Sequence, residues 1–206
     1  MTRLGILGGT FDPPHYGHLI LAEMAADGLS LDCVLFVPAA DPPHKGALRA
    51  SAEHRAALVE RAIAGNPRFA LSRVDLDRPG PHYTADMLRL LRQEFPAAEL
   101  VFLIGSDSLR DLPKWSRPGE LIRLARLGVM HRPGSAPDLA QLEQGIPGIR
   151  ERVDWIDAPQ IDISATNLAR RVSAGLSIRY QTPDAVRAYI EAHNLYRNDP
   201  ETVISP

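Results

Sequence analysis

Residues 5–18 read GILGGTFDPPHYGH. The apolar run that includes Leu4, Ile6 and Leu7 predicts a strand buried on both faces. Gly8 and Gly9 follow it, letting the chain turn and a ligand approach the backbone closely. Pro13 and Pro14 stiffen the loop. Residues 17–26 predict a helix whose apolar contacts come from Leu19, Ile20, Ala22 and Met24. A helix start offers unpaired N–H groups and a partial positive charge, which suit a phosphate. Thr10, Phe11, His15 and His18 sit in or beside this turn. The two imidazoles add donors, and a nearby phosphate dianion favours their charged form.

Outward from this unit, the chain keeps alternating between strand-like and helix-like periods. Residues 33–37, 69–74, 100–104, 127–130 and 153–156 read as strands. Residues 52–64, 84–95, 119–125, 165–174 and 184–193 read as helices, with Thr84 as the N-cap of its helix. This alternation predicts an α/β fold: a Rossmann-like open parallel sheet with helices on both faces and a small C-terminal helical portion. Ligands of such sheets bind beyond the carboxyl ends of the strands, where strand order reverses. Segments 8–18, 38–46, 105–115, 131–134 and 157–166 all follow apolar strands, so they are expected to share one cleft. The expected organisation is a single domain: a core over 3–160, a helical portion over 161–196 and a frayed tail over 197–206.

Lys plus Arg number 23 against 25 Asp plus Glu, giving a net charge of −2 that marks no bulk nucleic-acid or membrane-surface binder. A small anionic substrate needs only a local basic pocket. The single cysteine, Cys33, rules out an internal disulfide framework and fits a reducing cytoplasm. It lies in an apolar run, where packing is favoured over catalysis. The chain opens on a core strand with no signal peptide ahead of it, and no apolar run is long enough to span a bilayer, so a cytoplasmic protein is expected.

Several other segments carry polar groups suited to anion chemistry. Pro42-Pro43-His44-Lys45 either extends Lys45 over the cleft as a mobile charge or is a solvated loop. Gly80-Pro81-His82-Tyr83-Thr84 is a helix start that caps itself, binds a carboxylate, or does both. Asp107, after Gly105, either accepts ribose hydroxyls or caps the next turn. Trp115 in Pro113-Lys114-Trp115 either packs or stacks on an aromatic ring. Arg132 in His131-Arg132-Pro133-Gly134 contacts phosphate or solvent. Ile163-Ser164-Ala165-Thr166, with Arg170 and Arg171 behind it, offers hydroxyls, helix amides and a guanidinium fork. No His, Cys and carboxylate set has the spacing of an all-protein metal site, although Asp12 and Asp107 are candidate contacts.

Taken in order, GGTFDPPHYGH, PPHK, HYT, GSDSL, PKW, HRPG and ISAT with its arginines resemble the nicotinate mononucleotide adenylyltransferases of the HxGH nucleotidylyltransferase superfamily. The resemblance covers nearly the whole chain. It implies adenylyl transfer from ATP to nicotinate mononucleotide, giving deamido-NAD and pyrophosphate for NAD biosynthesis. It implies ATP binding by Gly8, Gly9, Thr10, Phe11, His15, His18, Gly105, Asp107, Ile163, Ser164, Thr166, Arg170 and Arg171. Catalysis would rest on His15, His18, Lys45 and Arg170. Tyr83, Thr84, Trp115, Lys45 and Arg132 would hold the mononucleotide, with the ring on Trp115 and its carboxylate near Tyr83 and Thr84. Mg²⁺ would arrive with ATP. The partners implied are these small molecules and a possible second copy of the chain, with no nucleic acid and no membrane. Two departures stand out: His82 replaces a Ser, and Ala169 occupies the first arginine position of the ISAT motif. Arg170 lies one residue on, about 100° around the helix. The PKW and HYT segments separate the chain from phosphopantetheine adenylyltransferases, which share the first motif. The other alternative is a nucleotide-binding regulator without turnover.

Overall fold

The computed structural model describes residues 2–40, 48–131, 137–159 and 161–197. Six strands form one parallel sheet: β1 (Arg3–Gly9), β2 (Cys33–Pro38), β3 (Phe69–Leu71), β4 (Glu99–Gly105), β5 (Arg126–Met130) and β6 (Val153–Ile156). Their order across the sheet is β3-β2-β1-β4-β5-β6, and the all-parallel pairing is as the alternating sequence predicts. The order reverses between β1 and β4, which pair from Arg3 with Glu99 to Ile6 with Phe102. The carboxyl ends of those two strands therefore flank the crevice where such sheets bind ligands.

Eight helices accompany the strands among the described residues: α1 (Tyr16–Gly28), α2 (Ala52–Ile63), α3 (Thr84–Glu94), α4 (Ser106–Asp111), α5 (Pro118–Leu124), α6 (Leu139–Gly145), α7 (Ala165–Ser173) and α8 (Asp184–Ala192). One core packs Leu4, Leu100, Phe102 and Leu127 against Met87, Leu88 and Leu91 of α3 and Leu121 of α5. A second packs Leu7, Val34, Phe36 and Val101 against Leu21, Ala22, Ala25 and Ala26 of α1. A third joins Leu58 and Ala62 of α2 to Leu168 and Ala169 of α7 and Val186 and Ile190 of α8. The C-terminal helices thus lean on α2 and not on the sheet.

The expected elements are present, with corrections at their edges. The α1 stripe is Leu21, Ala22, Ala25 and Ala26, whereas Leu19 and Met24 are only partly buried. Small alanines let the helix approach the sheet closely, so they take the inner face. β3 stops at Leu71 instead of residue 74, because pairing with β2 ends at Phe36–Leu71 and the chain turns at Arg73. α4 and α6, six and seven residues long, do not emerge from the sequence reading. α6 is fixed instead by Asp138, whose carboxylate accepts from the amides of Ala140 and Gln141.

Close packing between layers depends on glycine at one strand position in particular. A Cβ on Gly128 of β5 would lie 2.7 Å from Leu103 Cδ2, 3.0 Å from Leu29 Cδ1 and 3.2 Å from Ile156 Cδ1. Gly128→Ala should destabilise the protein by about 1–3 kcal/mol through overpacking, read as a lower urea midpoint at unchanged m-value.

Candidate active site

The β1–α1 turn is built from a buried framework. Phe11 has φ +50 and a side chain only 1% exposed. A bulky residue in the left-handed region is held there by its surroundings. Its ring meets His18 edge-on at 5.0 Å between centroids and lies next to Phe36 at 5.8 Å. A Cβ on Gly9 would come within 3.1 Å of that ring. The Phe11 side chain therefore supports the corner from beneath.

His15 and His18 stack with centroids 3.7 Å apart. The His15 amide donates to His18 Nδ1 at 3.2 Å. An accepting Nδ1 carries no proton, so the His18 proton sits on Nε2, where it can be donated to an anion. Gly17 between the two histidines leaves room for the His15 ring, since a Cβ there would lie 3.0 Å from Nδ1. Fewer amides are available than a bare helix start implies. Tyr16 N–H donates to Gln181 O at 3.1 Å and His18 N–H to His15 O at 3.0 Å. Among the first three helical amides, Gly17's has no acceptor among the described residues.

Beneath the corner lies Arg55 of α2, fully buried. Its guanidinium donates to the carbonyls of Thr10 at 2.9 Å, Ala39 at 2.6 Å, Ala40 at 3.1 Å and Ala50 at 3.2 Å. Burial pulls its pKa down from the usual arginine value, and the nearby Asp12 carboxylate opposes that shift. Asp12 is itself buried and accepts from the amides of Arg49 at 2.8 Å and Ala50 at 3.2 Å. Each of its oxygens thus accepts one backbone amide.

A pocket of about 270 Å³ opens beside the turn. Its walls bring together Gly8, Gly9 and Thr10 with Tyr83, Thr84 and Trp115, six of the residues singled out in the sequence. Trp115 is braced edge-on by Phe102, with centroids 6.1 Å apart. Tyr83, rather than Thr84, is the N-cap of α3, and it makes no side-chain cap; Thr84 is the first helical residue. The Arg117 guanidinium lies 5.9 Å from the Tyr83 ring centroid and is tied to Asp86. The Arg117 hydrogen bond holds the Asp86 carboxyl below its ordinary range.

The pocket also contains two buried polar residues, Asp75 and His82. Arg78 donates to Asp75 Oδ1 from Nε at 2.8 Å and from an Nη at 2.6 Å. Burial nevertheless pushes the Asp75 pKa up, outweighing the pull of Arg78. His82 Nε2 lies 3.2 Å from Arg78 O. The substitution seen at His82 therefore falls on a wall of the pocket and not on the outer surface.

Gly105 ends β4 and is the N-cap of α4, with Asp107 in the first turn of that helix. Ser164 caps α7 by accepting from Asn167 N–H at 3.1 Å, with Ile163 half-buried before it and Thr166 exposed in the first turn. Arg170 is exposed, whereas Arg171 donates to Ser177 O at 2.9 Å and so fastens the end of α7. Ala169 is completely buried in the third core. Lys45, Arg132 and residues 198–206 lie outside the described residues. Burial, aided by Asp32, pushes the Cys33 thiol pKa up, which suits packing and not nucleophilic attack. No group of three His, Cys, Asp or Glu able to hold a metal occurs among the described residues.

Sequence reasoning missed Arg55 and the Asp75–Arg78 pair. Arg55 was detectable: it precedes Leu58 by three and Val59 by four residues, which places it on the apolar stripe of α2.

A family model described as cytidylyltransferase-like matches residues 6–171. A protein of Thermomicrobium roseum named "Probable nicotinate-nucleotide adenylyltransferase" is 52% identical over 96% of this chain and 92% of its own length. One of the same name from Roseiflexus sp. is 50% identical over 94% of this chain and 98% of its own. The fold matches a Plasmodium falciparum nicotinic acid mononucleotide adenylyltransferase complexed with APC, with a TM-score of 0.78 at 19% identity over 98% of this chain and 100% of that one. The same enzyme complexed with NaAD also aligns with a TM-score of 0.78, at 20% identity over 98% of this chain and 100% of that one. With its glycine turn, paired imidazoles and aromatic pocket at the switch point, this chain belongs to the nicotinate-nucleotide adenylyltransferase family.

Proposed function

We propose that the protein transfers the adenylyl group of ATP to nicotinate mononucleotide, forming deamido-NAD and pyrophosphate in NAD biosynthesis. The observation that carries this reading is the adjacency of two unlike sites at one strand turn. A donor-rich helix start suits a triphosphate, and an aromatic pocket beside the same glycines suits a pyridine ring. A phosphate oxygen of the mononucleotide attacks the α-phosphorus of ATP in line. The new P–O bond forms as the bond to the bridging oxygen breaks, and that oxygen leaves on pyrophosphate. No enzyme nucleophile is needed, so catalysis is positioning and charge stabilisation. His18 Nε2–H and the Gly17 amide hold the β- and γ-phosphates, together with His15. Lys45 and Arg170 neutralise the charge moving onto pyrophosphate, and Arg132, Ser164 and Thr166 add phosphate contacts. Gly105 and Asp107 face the nucleotide's ribose.

On this reading the pyridine ring stacks on Trp115 and its carboxylate meets the first amides of α3. Asp75 shares that pocket, so acceptance of an anionic ring depends on Arg78 engaging the Asp75 carboxylate. Mg²⁺, carried in on ATP, would supply charge screening on the phosphates. Among the described residues no group of three His, Cys, Asp or Glu could hold the ion by itself, which suits an ion carried on the nucleotide's phosphates. The proposed setting is the cytoplasm. No helix among the described residues is long and apolar enough to cross a membrane.

Trp115→Ala should raise the KM for the mononucleotide about 10-fold and leave that for ATP within about two-fold. Initial rates at varied concentrations of each substrate check this, and equal effects on both would remove the stacking role. The activity itself is tested by pyrophosphate release from ATP and Mg²⁺ with nicotinate mononucleotide, nicotinamide mononucleotide or phosphopantetheine as acceptor. Release with nicotinate mononucleotide in preference to the others is the expected result. Release with phosphopantetheine alone, or with no acceptor, would overturn the reading.

A further inference from the structure

The pocket beside the glycine turn has apolar walls formed by Val37, Met87, Phe102 and Trp115, and a buried carboxylate is set into them. Among the described residues that line it, Asp75 is the only carboxylate, and no lysine or arginine occurs. The cation that answers Asp75 is Arg78, which is not itself a lining residue. Its Nε and one Nη both donate to Asp75 Oδ1, at 2.8 and 2.6 Å. The pair is largely withdrawn from water: the Arg78 side chain is 16% exposed and that of Asp75 6%.

Arg78 also ties this pair to the start of α3. Its other Nη donates to Pro81 O at 3.2 Å, and its carbonyl lies 3.2 Å from His82 Nε2. Pro81 and His82 lead directly into Tyr83, the N-cap of α3, and Thr84. Residues 75–84 thus form one short braced segment along the pocket. Two other titratable groups act on Asp75: His82 favours its ionised form and Asp86 opposes it. Asp86 is itself bonded to Arg89 and Arg117.

A nicotinate ring carries a carboxylate where a nicotinamide ring carries a neutral carboxamide with N–H donors. An ionised Asp75 repels the first and accepts from the second. Arg78 does the reverse. In a pocket of about 270 Å³, a ring substituent and a wall carboxylate stand within roughly a Debye length, about 8 Å at physiological salt, so screening between them is weak. The amides of α3 donate to a carboxylate oxygen and to a carboxamide oxygen alike, so a charge in the wall discriminates more sharply than they do.

We propose that the Asp75–Arg78 pair is a specificity-determining element of the pyridine pocket: Arg78 cancels the Asp75 charge at the wall, and that balance sets the preference for an acid over an amide on the ring. The inference rests on the reading that this pocket holds the pyridine ring of the mononucleotide. It assigns the choice of acceptor to two side chains whose single removals act in opposite directions.

The test is kcat/KM for nicotinate mononucleotide and for nicotinamide mononucleotide, measured at about pH 8.5, where a wall carboxyl raised by burial is still ionised. Arg78→Met leaves Asp75 uncompensated, and the acid-to-amide ratio should fall about 10-fold or more. Asp75→Asn leaves Arg78 uncompensated, and the ratio should rise about 3- to 10-fold. The double variant carries neither charge and should return the ratio to within about 3-fold of wild type. Arg78→Lys keeps the charge and should keep the ratio, even where its looser geometry lowers both rates. Disruption of the loop alone would lower the use of both acceptors together and could not give shifts of opposite sign. A ratio unmoved by Arg78→Met would overturn the proposal, as would a loss with both acceptors that Asp75→Asn does not correct. If Arg78→Met fails to fold, Asp75→Asn decides: a ratio equal to or below that of wild type would overturn the proposal. A wild-type protein that turns over neither mononucleotide would overturn the proposed activity instead. Calorimetric affinities of the two mononucleotides for the same variants would then decide the role of the pair, and binding of neither would overturn both.

Discussion

His18→Ala should lower kcat by about 100- to 1000-fold while the protein stays folded. His18 is only partly buried, and its ring rests on Phe11 and His15 without filling a core. Its removal therefore costs little stability. What is lost is a fixed donor: Nδ1 is engaged by the His15 amide, and Nε2–H faces away from that bond. A preorganised donor aimed at developing phosphate charge is worth about 3–4 kcal/mol in a transition state. His18→Gln gives a useful contrast, since its amide can donate but has no Nδ1 in the same place. It should recover part of the rate. Steady-state turnover and thermal melting on the same samples check both statements. A rate within a few-fold of wild type for the alanine variant would remove the histidine from the mechanism.

Arg55→Met should be among the most destabilising single changes in the chain. Methionine roughly replaces the hydrocarbon, so the loss isolates the guanidinium. Without it, the buried carbonyls of Thr10, Ala39, Ala40 and Ala50 lose their shared donor, and Asp12 loses its nearby positive charge. Breaking a buried charged network from one side costs about 3–5 kcal/mol. For a chain of this length that corresponds to a fall in melting temperature of about 10 °C. Activity should fall along with stability, because the carbonyls of Thr10 and Ala39 belong to residues lining the pocket. Arg55→Lys keeps the charge but cannot span four carbonyls, so it should fall between the two. A methionine variant with wild-type stability would mean that those carbonyls find other donors.

The sheet was legible because each strand is a short apolar run and the intervening helices carry a 3.6-residue period. The aromatic pocket was legible in part: Trp115 and the Tyr83-Thr84 step are unusual residues at element boundaries, and both stand in its walls. What escaped the sequence was the polar scaffold beneath the site. Arg55 resembles any surface arginine unless its phase against Leu58 and Val59 is examined. The anchoring role of Asp12 was not legible, because nothing local shows that the amides of Arg49 and Ala50 come to it from a separate loop. The bond by which Arg171 fastens the end of α7 to Ser177 O is a contact within a turn that no periodicity predicts.

The account depends most on where the triphosphate lies. A crystal structure of the protein with a non-hydrolysable ATP analogue tests that directly. The expected result is phosphate oxygens within hydrogen-bond distance of His18 Nε2 and the Gly17 amide, with the pocket beside Trp115 left open for the second substrate. A triphosphate lodged elsewhere, with both imidazoles turned away from it, would contradict the account.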